Sequence, residues 1–124
     1  MMRLQRFAIA TGKVVSLRNT GKSLESDLTA VDATAGIKFD VKNCSNERLY
    51  LIFKNTEAST AKDVVIKKPT NGGYAAADAD LTISSLAAGG VAGAWVETAK
   101  YANTDGTIVC TGGSANVKAV AIYN

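Results

Sequence analysis

The stretch Leu49-Tyr50-Leu51-Ile52-Phe53 is the longest unbroken run of large apolar side chains in this chain of 124 residues. It is too short for a buried helix and has the length of a strand that is covered on both faces. Lys54 and Asn55 follow the run and end it. We therefore predict a central strand at residues 49–53, around which the other elements are arranged.

Alternation and turn residues predict further strands on both sides of this run. Residues 37–42 alternate apolar and charged side chains, which is typical of a strand with one face on the core. Because turn residues separate them, we expect residues 37–42 and 49–53 to form an antiparallel hairpin. Other strands are expected at residues 63–67, 81–84, 91–97, 107–111 and 116–123, with one or two short ones between residues 6 and 17.

Three stretches carry more specific expectations. Residues 24–35 fit either a helix or an extended lead-in. Trp95 is predicted to fill the end of a core otherwise lined by Ala and Gly, with a sugar-stacking position as the alternative. Residues 116–123 have apolar side chains of both parities, so we expect both faces of that strand to be covered, with a partner subunit as one candidate cover.

The number and spacing of these elements predict the fold class. About seven to eight short antiparallel strands, divided by Gly and Asn turns, are typical of a β-sandwich. We predict an all-β chain with a single β-sandwich of jelly-roll or immunoglobulin-like topology and a basic N-terminal arm.

Positive charge is concentrated at the N-terminus. Residues 1–24 contain five basic residues and no acid, whereas the rest of the chain has nine basic and eleven acidic residues. We therefore predict a basic arm at residues 1–24 and a sandwich domain at residues 25–124. An acidic protein partner and a solvated tail explain the arm equally well, and nucleic acid is less favoured because Phe7 is its single aromatic ring. The candidate partner-binding residues are Arg3, Arg6, Lys13, Arg18 and Lys22.

The residue types predict no enzyme, no cofactor and no metal site. The chain has no His, which excludes Ser-His-Asp and Cys-His catalytic arrangements. Cys44 and Cys110 lack the spacing of metal ligands, and we expect both to be structural thiols in a cytosolic protein. No apolar segment reaches the about 18 residues that a membrane-spanning helix needs.

The succession of strand segments resembles the small β-sandwich virion proteins of tailed bacteriophages, of the decoration or cement type that sits on the capsid. The resemblance covers roughly residues 30–124 and rests on the order of several segments. These are residues 33–39 (ATAGIKF), 49–56 (LYLIFKNT), 64–67 (VVIK), 80–83 (DLTI), 106–109 (GTIV) and 117–122 (VKAVAI).

This resemblance implies a structural protein that binds and stabilises the capsid shell. It implies the major capsid protein or neighbouring virion subunits as partners, a homo-oligomer, and a place in the virion after assembly in the host cytoplasm. It transfers a scaffold and no functional residue. A component of a phage tail or head fibre, and a carbohydrate-binding or adhesion module, are the alternatives.

Overall fold

The structure is a computed structural model and describes residues 9–31, 35–44 and 48–123. These residues form ten strands, one 3₁₀ turn at Glu25–Asp27 and a single helical turn, α1, at Thr98–Tyr101. The strands are β1 (Ala10–Thr11), β2 (Val14–Ser16), β3 (Thr29–Val31), β4 (Ile37–Asp40), β5 (Leu49–Asn55), β6 (Lys62–Ile66), β7 (Leu81–Leu86), β8 (Val91–Val96), β9 (Thr107–Thr111) and β10 (Val117–Tyr123).

The strands lie in two sheets that enclose one core. Sheet A has the order β1-β4-β9-β6-β7, and sheet B has the order β2-β10-β5-β8, with β3 also paired to β10. The core is built from alternate residues of both sheets, since successive side chains of a strand point to opposite faces. Its members include Ile37, Phe39, Val64, Ile66, Ile108 and Cys110 of sheet A and Leu49, Leu51, Phe53, Val117, Ala119 and Ala121 of sheet B. The predicted all-β sandwich is confirmed, with more strands than expected.

β5 lies inside sheet B, between β10 and β8. Leu49, Leu51 and Phe53 point into the core and are 0% exposed. Tyr50 points the other way and is 45% exposed. The prediction of a central strand is therefore right, but the prediction that both its faces are covered is wrong.

The predicted hairpin between residues 37–42 and 49–53 is also wrong. β4 belongs to sheet A, where it pairs with β1 and β9, whereas β5 belongs to sheet B. The chain passes from one sheet to the other between Asp40 and Leu49. Alternating apolar residues indicate that a strand has a buried face, but both sheets offer such a face, so the pattern does not select the partner.

The described part of the predicted N-terminal arm belongs to the sandwich. β1 pairs in parallel with β4 of sheet A, and β2 pairs in parallel with β10 of sheet B. Sheet pairing uses backbone groups, so this stretch joins both sheets although it has few large apolar side chains. The sandwich thus includes residues on the N-terminal side of residue 25, and residues 1–8 lie outside the described residues.

For residues 24–35, either a helix or an extended lead-in was predicted, and the described part of this stretch contains no α-helix. Residues 25–27 form one 3₁₀ turn and β3 follows at once, antiparallel to β10. On the outer side of sheet B, Val120 of β10 is fully buried, and Leu24 and Leu28 line the hollow beside it. The chain itself therefore covers the outer face of β10 at Val120, where a partner subunit was one predicted cover.

Asn55 is a buried polar residue that connects the two sheets. Its side-chain amide donates to the backbone oxygens of Thr60 and Leu86, at 3.0 and 2.9 Å, and its Oδ1 accepts from the N–H of Glu57 at 2.9 Å. Leu86 ends β7 of sheet A, whereas Asn55 ends β5 of sheet B. A fully buried amide is tolerated here because each of its polar atoms has a partner.

Candidate binding surface

The outer side of sheet B carries a group of exposed apolar residues. The antiparallel register of β5 and β8 sets Tyr50 opposite Trp95, Ile52 opposite Gly93 and Lys54 opposite Val91. Val91 is 64% exposed and Trp95 is 61% exposed. We call the group of Tyr50, Ile52, Val91, Gly93 and Trp95 the β5–β8 face.

The two aromatic rings of this face form a pair. The ring centroids of Tyr50 and Trp95 are 5.6 Å apart, with an angle of 25° between the planes. Such pairs are worth about 0.5–1.5 kcal/mol beyond the area that they bury, so the stack favours this arrangement of the two rings. The result is a pair of stacked aromatic rings at the surface.

The prediction that Trp95 fills the core is wrong. The residues of β8 that face the core are Ala92, Ala94 and Val96, and Trp95 alternates with them. Ala92 stands opposite Phe53 and Ala94 opposite Leu51, so β8 places small side chains beside large ones on the inner face. Trp95, which has the opposite parity, points out of the sandwich. The predicted alternative, a sugar-stacking position, requires such exposure and stays a prediction.

Gly93 leaves a notch in the β5–β8 face, between Val91 and Trp95. The register with β5 runs through Gly93 without a shift, so no bulge requires it. It is not among the glycines with positive φ, and an added Cβ would meet just the oxygen of Leu51, at 3.6 Å. Glycine inside a strand without such a reason is found where a ligand or another backbone comes close.

Charged side chains lie at one border of the face. Ile52, Lys54 and Val91 line a shallow hollow of about 240 Å³ together with the segment that contains Leu24 and Leu28. Lys54 Nζ is 3.7 Å from Glu25 Oε1 across this hollow. An apolar centre with a polar rim is the usual composition of a protein-binding surface.

The predicted basic residues are not part of this face. Lys13 lies exposed in the link between β1 and β2, and Arg18 lies exposed in the turn after β2. Lys22 Nζ is 2.8 Å from Asp27 Oδ2, which gives this lysine an ion-pair partner within the chain. Arg3 and Arg6 lie outside the described residues. The role of the five residues in binding a partner stays a prediction.

Both cysteines are free thiols. Cys110 belongs to the core, and burial raises the pKa of its thiol far above the ordinary value. Cys44 is half-buried after β4, and the pKa of its thiol is also raised, by burial and then by the negative charge of Asp40. A raised pKa favours the protonated thiol over the nucleophilic thiolate, and the structural role of both cysteines stays a prediction.

In the three described ranges of the chain, no group of three or more His, Cys, Asp and Glu side chains has an arrangement that could hold a metal ion. The same ranges contain no helix that is long and apolar enough to cross a membrane.

Comparisons with known proteins found no match for this chain among protein-family models, curated proteins or solved structures. The candidate surface therefore has to be judged from its own geometry. Sequence patterns did not identify Tyr50 and Gly93 as surface residues and predicted Trp95 inside the core. The signal that would have found them is the pairing register of residues 49–55 with residues 91–96, which no local pattern contains.

Proposed function

We propose that this chain is a structural virion protein, a bacteriophage capsid decoration protein that binds the shell and stabilises it. The observation that carries the binding role is the β5–β8 face, where a stacked aromatic pair and Val91 are exposed together on a sheet. Exposed apolar groups with a polar rim mark interaction sites on otherwise folded proteins. The phage assignment rests on the resemblance of the strand segments.

The chemistry of the face supports a protein partner. Tyr and Trp are enriched at the centres of protein interfaces because they supply a large contact area from rigid side chains. Many copies on a shell would each tie neighbouring subunits together, and a stable contact of this kind buries on the order of 1,000 Å² or more. Binding of protein surfaces requires no catalytic group, and the proposal assigns none.

Carbohydrate binding is the second candidate, and the Tyr50–Trp95 stack is the observation that favours it. Flat exposed rings pack against the apolar side of a sugar, and the notch at Gly93 adds relief next to them. A glycan array with the wild-type chain and Trp95→Ala separates the two candidates. Saturable glycan binding that Trp95→Ala abolishes would select the carbohydrate reading.

The decoration role is tested by mixing purified chain with undecorated shells of the phage that encodes it and counting the bound copies. We expect many copies distributed over the shell and a higher melting temperature of the decorated particle. Failure to bind shells would reject the proposal. Binding at a single vertex would instead assign the chain to a tail or to a head fibre.

A further inference from the structure

We infer that a second copy of this chain pairs with the exposed edge of β8, so that the two sheets B join into one continuous sheet across a two-fold axis at Gly93. The backbone edge of β8 makes this contact, and Val91, Gly93 and Trp95 of the β5–β8 face stand in pairs across it. The dimer does not depend on the proposed function. Four features of β8 lead to it.

The first feature is that β8 is an open edge. In the part of the chain that the structure describes, β8 is paired with β5 and with no other strand. Ala92 and Ala94 point towards the core and are partly exposed. Another strand placed here would complete the burial of both alanines.

The second feature is the direction of the backbone groups. The N–H of Asn55 donates to the oxygen of Gly90 at 3.0 Å, which makes this a hydrogen-bonded pair in the β5–β8 register. Bonded and non-bonded pairs alternate along an antiparallel ladder. The N–H and C=O groups of Val91 and Gly93 therefore point away from β5, towards the open edge, where a second strand can bond them.

The third feature is self-complementarity. In an antiparallel pair centred on Gly93, each Val91 stands opposite Trp95 of the second copy, and the two glycines face each other. Pairs of an aromatic and a β-branched side chain stabilise neighbouring strands. Glycine at the axis leaves room between the two tryptophans, which accounts for a glycine that the fold of one chain does not require.

The fourth feature is that the residues of β8 itself include none of the usual devices that block pairing. Sheet edges are commonly protected by Lys, Pro, a bulge or an inward charge. Val91–Val96 contains no charged residue and no Pro, and its register with β5 has no shift. A two-fold axis also makes the contact closed, so that pairing stops at a dimer and does not continue into fibres.

The test measures the mass of the full-length chain in solution by light scattering over a range of concentrations. We expect a dimer for the wild type and a monomer for Gly93→Lys at the same concentration, because the substitution places two like charges next to each other at the axis. The backbone at Gly93 accepts a side chain, and circular dichroism checks that the variant is folded. Thr82→Lys is the matched control, since it adds the same charge to an exposed position of β7, the edge strand of sheet A, and it should remain a dimer.

A cysteine variant tests whether the two copies pair in the register centred on Gly93. Facing residues of a bonded antiparallel pair have Cα atoms about 5.5 Å apart, which a disulfide can span. Gly93→Cys, made together with Cys44→Ser, should therefore form a covalent dimer under mild oxidation, whereas Thr82→Cys in the same background should not. A wild type that is monomeric at every concentration, a Gly93→Lys variant that dimerises like the wild type, or a Gly93→Cys variant that does not cross-link would each overturn the inference.

Discussion

Both sides of β5 carry large apolar side chains, but the two sides differ in their surroundings. Leu49, Leu51 and Phe53 are fully buried between the sheets, whereas Tyr50, one position away from two of them, is 45% exposed and stacks on Trp95. Apolar residues on the inner side hold the sheets together because water is excluded from both sheets there. Those on the outer side contribute less to folding and remain available to a partner. Direction within the strand thus separates the stabilising residues from those that we propose to bind a partner.

The inner side should show the largest effect on stability. We expect Phe53→Ala to lower the free energy of unfolding by about 3–5 kcal/mol, as for large-to-small changes in other cores. Its neighbours in register are Ala92 and Ala119, which are too short to fill the space. Urea unfolding followed by fluorescence measures the change. A loss below about 1 kcal/mol would contradict a large contribution of Phe53 to the stability of the core.

The next largest loss of stability is expected at Asn55, the buried polar residue at the end of β5. Asn55→Ala leaves the carbonyls of Thr60 and Leu86 and the N–H of Glu57 without their partner. We expect a loss of about 3 kcal/mol, since each buried group left unpaired costs about 1–3 kcal/mol and water reaches part of the site. Asn71→Ala, at an exposed loop position, is the control. Equal stability of the two variants would contradict the linking role of Asn55.

The outer side should change stability much less. Trp95→Ser removes the stack with Tyr50, which corresponds to about 1 kcal/mol. The free energy of unfolding should therefore fall by much less than in Phe53→Ala, and the β-sheet circular dichroism spectrum should be unchanged. A loss as large as that of Phe53→Ala would mean that the β5–β8 face belongs to the core of the fold.

A small effect of pH on the stability of the fold is expected from Glu57, in the loop after β5. The hydrogen bond from Asn116, followed by that from Ser114, lowers the pKa of the Glu57 carboxyl. A lowered folded-state pKa gives a stability contribution that is present above the unfolded-state pKa and is lost as the pH falls through the folded-state value. Asn116→Ala should raise the Glu57 pKa towards its ordinary value in an NMR titration, and an unchanged titration would refute this cause.

Local patterns predicted much of the fold, because strand alternation and turn residues are local properties. The alternation at residues 37–42, for example, predicts a strand with one buried face, and β4 buries Ile37 and Phe39 and exposes the two charged residues between and after them. The pairing of β4 was predicted wrongly, since pairing is set by which of two inner faces a strand joins. Trp95 was misplaced because Val91–Val96 has small or apolar residues at both parities, and only the register with β5 decides which parity faces the core.

The separation between the two sides of β5 is tested most directly by a pair of tyrosine variants. Tyr50→Ser removes a ring from the β5–β8 face, and Tyr74→Ser removes a fully exposed ring from a loop. Both should remain folded, with unfolding free energies within about 1 kcal/mol of the wild type. Mixed with undecorated shells at a fixed concentration, Tyr50→Ser should bind far fewer copies than the wild type, and Tyr74→Ser should bind as many. Full binding by Tyr50→Ser would contradict the assignment of this face as the binding surface.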